Sequence, residues 1–346
     1  MSSTPASEKS SDPIRPWFEA LESLDEFIGI RFGRLAPGAS EIEWIFLPHT
    51  DFDGIGGLAH LLRERGAEVG DLPMSPHPAA LSWLAFLRAL PGMLGPRRRL
   101  SWKSLKRGPK LEKANQPPPA VSVHVFSEDD TAKIRWAARN ADVSVNSLLL
   151  RHLDRAVRPY LQDPSSATPW MVPVNLRGRV TQPSDVKNHS SYIAIRIMAS
   201  DGAKAVHRRI YTELQKGRHC ANWKSFDAGS LCSEGMKRLL IKKDRAVSQW
   251  NIGGFSNLGI WDWEKSITDP RCLGDWFFSP PVLRSQYLGA GCVTFQGRLT
   301  LTLQAHPDLT SAPEVTELWV RNWVREIELD FPISATGDFS PSRHSA

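Results

Sequence analysis

Nine residues, HTDFDGIGG (His49–Gly57), place a histidine, an acid and several glycines in one short loop. An imidazole titrates near neutral pH, so His49 could remove a proton from an alcohol or an amine. Asp53 could fix the loop by pairing with a cation. Gly54 would let a substrate approach the backbone, or adopt a positive φ. The same pattern fits a surface turn whose acidic residues cap a helix, and these residues alone leave both interpretations open.

The elements around this loop follow from the apolar spacing. EIEWIFL (Glu41–Leu47) is typical of a buried strand, and LAHLLRER (Leu58–Arg65) begins a helix. Further helices are predicted at Trp17–Phe27, Thr131–Asn140, Asp142–Tyr160, Ala203–Gln215, Cys232–Lys242 and Pro313–Arg325, and further strands at Val121–Phe126, Trp170–Leu176, Tyr192–Met198 and in a hairpin over Cys292–Ala305. This alternation predicts an α/β or α+β fold with a mixed sheet.

Composition predicts how the chain is divided. Residues 1–15 and 333–346 are rich in Ser, Pro and Thr and are expected to be flexible tails. NQPPP (Asn115–Pro119) has the composition of a stiff connector. We therefore expect a short N-terminal lobe over residues 16–115, which carries the HTDFDG loop, and a C-terminal lobe over residues 120–332.

The positive charge of the chain is concentrated in one place. The formal net charge is +6. Pro96–Lys113 contains eight basic residues and one acid, which leaves 35 basic and 36 acidic residues elsewhere. This stretch, with the apolar residues from Leu81 onwards, could be a solvated loop, an element for an anionic membrane surface, or a docking site for an acidic carrier protein or CoA phosphates. No recognisable nucleic-acid-binding motif accompanies it, so no specific nucleic-acid partner is expected.

The termini and cysteines suggest a location. The N-terminus lacks the apolar core of a secretory signal. The four cysteines show no CxxC pairing and are interpreted as reduced thiols. A cytoplasmic protein, with peripheral membrane contact through residues 81–113 as an option, is the resulting expectation.

The pattern HxxxDG after a hydrophobic strand resembles the active-site motif of the chloramphenicol-acetyltransferase-like superfamily. That group includes nonribosomal-peptide condensation domains, wax ester synthases, alcohol acetyltransferases and plant BAHD acyltransferases. Five later stretches are similar to the superfamily in the expected order: Ser127–Val157, MVPVNLRGRV (Met171–Val180), NHSSYIAIRI (Asn188–Ile197), the GFSNLG turn (Gly254–Gly259) and GRLTLTLQAHP (Gly297–Pro307). The resemblance implies a two-lobed sandwich with mixed sheets and an interlobe channel.

The resemblance also implies roles for individual residues. His49 would be the general base that deprotonates the acceptor hydroxyl or amine, which then attacks an acyl thioester on CoA or on a carrier protein. Asp53 would have a structural role, with Arg177 as the candidate for its salt-bridge partner. Asn175 would belong with Arg177 to the structural or channel residues, and Gly54 would line the channel.

Two further residues, Ser256 and Asn257, are candidates for channel positions or for donors to the oxyanion that forms in such a reaction. Enzymes of this kind need no metal and no organic cofactor, because the acyl thioester is a substrate. The expected partners are therefore a thioester donor and an alcohol or amine acceptor.

The sequence departs from the superfamily pattern at two points. Pro48 stands where condensation domains usually carry the first of two histidines, which favours a CoA-type acyltransferase. Only 48 residues precede His49, whereas the superfamily places much more chain there. The first lobe could be reduced, the start truncated, or a partner chain could complete it. Two functions of different classes therefore follow: an acyltransferase, and a noncatalytic relative that binds an acyl carrier or membrane partner.

Overall fold

A computed structural model describes residues 12–76, 83–84, 86–87, 100–108, 121–247, 251–261 and 269–331. Most of the predicted tails, and half of the basic stretch 96–113, lie outside these residues. Among the apolar residues that precede the basic stretch, the structure describes Trp83, Leu84, Phe86 and Leu87. Phe86 is partly buried and the other three are exposed.

Three strands form a small antiparallel sheet. They are β1 (Gly29–Leu35), β2 (Glu43–Pro48) and β7 (Asp275–Ser279), in the order β2-β1-β7. Ile30 and Phe32 of β1 are fully buried against α2 (Gly54–Glu64). The strand that precedes the HTDFDG loop, β2, lies at the edge of this sheet, and none of its residues is fully buried. The expectation of a buried strand there is therefore wrong, because the apolar side chains of β2 are covered on one side only.

The other six strands form a mixed sheet: β3 (Ser122–Val125), β4 (Thr168–Asn175), β5 (Ser190–Ile197), β6 (Asn251–Trp261), β8 (Gln286–Phe295) and β9 (Arg298–Ala305). Their order is β3-β9-β8-β6-β4-β5, with β6 parallel to both β4 and β8 and the other pairs antiparallel. β8 is central and is covered on both faces, so its residues are buried almost without interruption.

Helices cover one face of the mixed sheet. The remaining helices are α1 (Arg15–Glu22), α3 (Glu128–Asn140), α4 (Val145–Val157), α5 (Ala203–Gln215), α6 (Arg218–Ser230), α7 (Glu234–Val247) and α8 (Pro313–Glu328). A hydrophobic core lies between these helices and the sheet. It includes Leu149, Leu301 and Trp319, none of which has exposed surface. Within the described residues, no helix is long and apolar enough to span a bilayer.

Strand β7 connects the two sheets. The hydroxyl groups of Thr300 and Thr302, on the face of β9 away from the helices, donate to the carbonyl oxygens of Trp276 and Phe278 in β7. A Cβ on Gly291 would lie 1.8 Å from the Phe278 oxygen, so only glycine permits this approach. A strand from the second half of the chain therefore completes the first sheet.

The expected fold class is confirmed, and several elements match their predicted spans. Ser127 caps α3 by accepting from the backbone N–H of Asp130. Gln296 and Gly297 both have positive φ and form the two-residue turn of the predicted hairpin. The predicted GFSNLG turn is wrong: Gly254–Gly259 lies inside β6, which continues through a register shift between Asn257 and Ile260. Strands β1 and β7 and helix α6 were not predicted.

Two glycines in the first turns of helices provide a matched test of this packing. A Cβ on Gly56 of α2 would lie 1.9 Å from the Val186 carbonyl oxygen, whereas one on Gly235 of α7 meets nothing within 4 Å. We expect Gly56→Ala to lower the free energy of unfolding by about 1–3 kcal/mol through overpacking. Gly235→Ala should raise it by up to about 1 kcal/mol. Urea unfolding measures both, and equal stability of the two variants would contradict this packing.

Candidate functional site

The backbone of His49 is held by both halves of the chain. His49 directly follows β2, and its N–H donates to the Ile28 carbonyl at 3.0 Å. Its own carbonyl accepts from the Asn188 Nδ2 at 3.1 Å. Asn188 is buried and precedes β5. The histidine therefore lies at the junction between the first sheet and the edge of the mixed sheet.

The hydrogen bond of the His49 ring fixes its tautomer. Nδ1 lies 2.7 Å from the Phe52 carbonyl oxygen, and because a carbonyl only accepts, Nδ1 must carry the proton. The lone pair of the neutral ring is then on Nε2. The Phe18 ring of α1 lies 4.8 Å from the imidazole, which is half-buried. Burial lowers the pKa of His49, against the smaller opposing effects of the Phe52 carbonyl and Asp53, so the ring favours the form that accepts a proton.

Asp53 holds the loop to the second half of the chain. Its carboxylate caps α2 by accepting from the Gly56 N–H at 2.7 Å. Arg177 donates to both carboxylate oxygens, at 2.8 and 2.9 Å, in a bidentate pair. The backbone N–H of His189 and the hydroxyl of Ser190 also donate to it, at 2.9 and 3.2 Å. With 1% of Asp53 exposed and its oxygens occupied by donors, the residue serves structure and not proton transfer.

The guanidinium of Arg177 is equally saturated. Besides Asp53, it donates to the carbonyl oxygens of Asp185 and Lys187, at 2.9 and 3.4 Å, and to the Asn175 side chain at 3.2 Å. Asn175 also accepts from the backbone N–H of Arg177. The superfamily resemblance implied an Asp53–Arg177 pair, and the structure contains it. Asn175 therefore helps to orient the Arg177 side chain.

A second contact fastens the same loop. The ammonium group of Lys187 donates to Asp51 at 2.7 Å, and Phe52 forms an isolated bridge with Lys187. A role of residues 187–189 in holding His49 was not predicted from the sequence. The signal that could have found them is KNHSS, a polar run directly before an apolar strand. Polar groups at the end of a strand need hydrogen-bond partners, and a neighbouring loop can supply them.

Strand β6 places the two oxyanion candidates on opposite faces. Asn257 donates its amide to the Asn146 side chain of α4 at 2.7 Å, on the helix-covered face. Side chains alternate along a strand, so Ser256 points to the opposite face. Leu258 belongs to the core of the first sheet, and a Cβ on Gly54 would lie 2.4 Å from its Cδ2. Ser256 therefore faces the side of the sheet that carries the motif, and Asn257 does not.

Comparison with known proteins gives a fold and no sequence family. Searches against protein-family models and against curated proteins found no match. Among solved structures, the chain is similar to trichothecene 15-O-acetyltransferase TRI3 from Fusarium sporotrichioides. The TM-score is 0.55 and the identity 12%, and the match covers 95% of this chain and 76% of that one.

Two further structures have the same architecture. Polyketide synthase associated protein 5 from Mycobacterium tuberculosis matches with a TM-score of 0.50 and 14% identity, over 86% of this chain and 75% of that one. The cyclization-docking bidomain of the nonribosomal peptide synthetase EpoB from Sorangium cellulosum matches with a TM-score of 0.52 and 11% identity, over 83% and 59%. The chain thus has the chloramphenicol-acetyltransferase-like fold that acetyltransferases and condensation-type domains share.

Replacing Asp53 by Ala should strongly destabilise the protein, because it leaves the Arg177 charge buried and unpaired. Removal of one partner of a buried pair costs about 3–5 kcal/mol. The matched control is Asp185→Ala, which removes the pair between Arg63 and Asp185, both of which are part-exposed. That loss should be under about 1 kcal/mol. Chemical denaturation of both variants tests the difference, and similar losses would show that Asp53–Arg177 does not hold the halves together.

Proposed function

We propose that the protein is an acyltransferase that moves an acyl group from a thioester to an alcohol or amine, with His49 as the general base. The observation that carries this proposal is the His49 ring, whose Nδ1 is occupied by the Phe52 carbonyl and whose Nε2 therefore bears the lone pair. The fold supports it, since the similar structures include an acetyltransferase and a cyclization domain of a peptide synthetase.

In the proposed reaction, Nε2 of His49 takes the proton of the acceptor O–H or N–H. The oxygen or nitrogen bonds to the thioester carbonyl carbon, and the carbonyl electrons move to oxygen to give a tetrahedral oxyanion. This intermediate reforms the carbonyl and expels the thiolate, which takes the proton from the imidazolium. The products are an ester or amide and a free thiol, and the reaction requires no metal or organic cofactor.

The surrounding residues have positioning roles in this proposal. The buried Asp53–Arg177 pair fixes the loop, and the Phe52 carbonyl fixes the His49 ring. The lone pair on Nε2 therefore points in one fixed direction. The hydroxyl of Ser256 is our candidate donor to the oxyanion, because it faces the motif side of the mixed sheet. Gly54 has no room for a side chain beside Leu258 and Phe278, which keeps the start of α2 close to β6.

The donor in this proposal is acyl-CoA or an acyl group on a carrier protein. Pro48, in place of a second histidine, favours CoA. TRI3 is described as an O-acetyltransferase, whereas EpoB belongs to a peptide synthetase. We infer that hydroxyl acceptors are the first to test, with amines as the second class.

Replacing His49 by Ala should lower kcat by about 10²–10⁴-fold, the usual contribution of a general base. A screen of acyl-CoA donors against alcohols and amines, followed by detection of the released thiol, first identifies a turned-over pair. The matched control is His124→Ala, since His124 is half-buried on β3, away from the loop. Wild-type turnover in His49→Ala would refute the proposal. Absence of turnover in the wild type, together with thioester binding, would favour a noncatalytic carrier-binding protein.

The pH profile provides a separate test. Burial lowers the pKa of His49 below its ordinary value of about 6.5. Because the neutral ring is the active form, kcat/KM should be constant above this value and fall as the pH drops through the lowered pKa. The midpoint of the acidic limb is thus expected below about 6.5. A midpoint above 7 would mean that His49 is not the titrating base.

A further inference from the structure

Helix α7 turns its apolar side chains outward. Met236, Leu239 and Leu240 are 47%, 48% and 42% exposed. At about 100° of rotation per residue, these three positions lie in one stripe that is about 100° wide. Lys237, by contrast, is only 6% exposed. A helix on a protein surface normally buries its apolar stripe and exposes its charges, so α7 has the reverse arrangement.

The buried lysine fixes this orientation of α7. The Lys237 ammonium group donates to the carbonyl oxygens of Cys232 and Ser230, at 2.7 and 3.5 Å. Both carbonyls lie at the C-terminal end of α6, where the helix dipole favours a cation. Ile241, one turn further on the same side of α7, is half-buried. This side of α7 therefore faces the protein, and the apolar stripe faces away from it.

Residues at both ends of α7 add to the stripe. Leu231, in the turn before α7, is 81% exposed. At the other end, Lys242 borders the stripe and Lys243 lies within it, one turn after Leu239. Both lysines are exposed, and neither forms an ion pair in the part of the chain that the structure describes. The outward face of α7 therefore combines exposed apolar side chains with uncompensated positive charge.

We propose that α7 binds the surface of an anionic lipid bilayer and lies in the plane of the interface. Met236, Leu239 and Leu240 enter the boundary between headgroups and acyl chains, which removes them from water. Lys242 and Lys243 contact the anionic headgroups. A lysine can bury its methylene groups while its ammonium group stays hydrated, so Lys243 is compatible with a position inside the stripe.

This surface is separate from the His49 loop. Helix α1 lies between them: its Trp17 ring is 6.5 Å from that of Phe226 in α6, and its Phe18 ring contacts His49. The surface also uses no residue of the basic stretch 96–113. Membrane binding by α7 therefore does not depend on the proposed acyl transfer and can be measured without a substrate.

A second copy of the chain fits this face less well than a bilayer. Packing of two α7 helices along their stripes would remove Lys243 from water. Among the described side chains of α7 the acid is Glu234, which already pairs with Arg238 at 2.5 Å. A buried charge without a partner is destabilising, and the same objection applies to an apolar groove on another protein. At a bilayer the ammonium group remains in the hydrated headgroup layer.

Co-sedimentation of the full chain with lipid vesicles tests the proposal. Vesicles of phosphatidylcholine mixed with an equal amount of phosphatidylglycerol should bind the chain, and pure phosphatidylcholine vesicles should bind it much more weakly. Leu239→Gln should weaken binding to the mixed vesicles about tenfold or more, because an apolar side chain no longer leaves water. The matched control is Leu329→Gln, at the 68% exposed position that follows α8, and it should bind like the wild type.

A second pair of variants tests the charges. The double variant Lys242→Gln/Lys243→Gln should weaken binding to the mixed vesicles by about 30-fold, since each lysine near an anionic surface contributes about fivefold. The matched control is Lys103→Gln/Arg107→Gln, which changes two exposed residues of the basic stretch and should bind like the wild type. Thermal melting checks that each variant folds, and the two pairs are independent, so misfolding of one leaves the other decisive.

Four results would overturn the proposal. The first is the absence of binding to the mixed vesicles, and the second is equally tight binding to pure phosphatidylcholine. The third is a loss of binding in Lys103→Gln/Arg107→Gln as large as that in Lys242→Gln/Lys243→Gln, which would assign the association to the basic stretch. The fourth is a dimer in sedimentation velocity that Leu239→Gln dissociates, which would assign the stripe to a second copy of the chain.

Discussion

The buried ion pair between Asp53 and Arg177 is the interaction on which the candidate site depends. Two charges removed from water are stable only when their hydrogen-bonding groups are satisfied, and here the loop, the start of α2 and residues 185–190 supply those partners. Satisfying the pair therefore fixes the position of three chain segments at once. His49 lies four residues before Asp53 in the same loop, so the pair fixes the position of its backbone as well.

In the proposed mechanism, the Asp53–Arg177 pair positions His49 and takes no part in the proton transfer. The Phe52 carbonyl accepts the hydrogen bond of the His49 ring, whereas Asp53 acts on the ring through its charge. In a Ser-His-Asp triad the carboxylate itself orients the imidazole. Here the neutral Phe52 carbonyl sets the tautomer of His49, and the Asp53 carboxylate anchors the loop. The pKa of an imidazole held in this way is lowered, because the effect of burial is opposed only in part by the Phe52 carbonyl and Asp53.

Local sequence signals predicted those features whose causes are local. The cap at Ser127, the turn at Gln296–Gly297 and the buried face of α4 depend on residues a few positions apart. The Asp53–Arg177 pair joins residues far apart in the chain, and it was predictable only through resemblance to a superfamily. β7 and α6 were missed because their burial is decided by distant partners: α6 buries His219 and Asn222, which no apolar period reveals. The bond between His49 and Phe52 follows from loop geometry, which side-chain patterns do not encode.

The crossing of β7 into the first sheet has a consequence for how the chain can be divided. A cut between residues 115 and 120, where composition suggests a boundary, would leave β1 with an unpaired edge in one fragment and β7 without its partner strand in the other. Neither fragment would then contain the complete three-stranded sheet. The two halves are consequently interdependent for folding, and reconstitution from separately produced pieces would require both to be present while the sheets form.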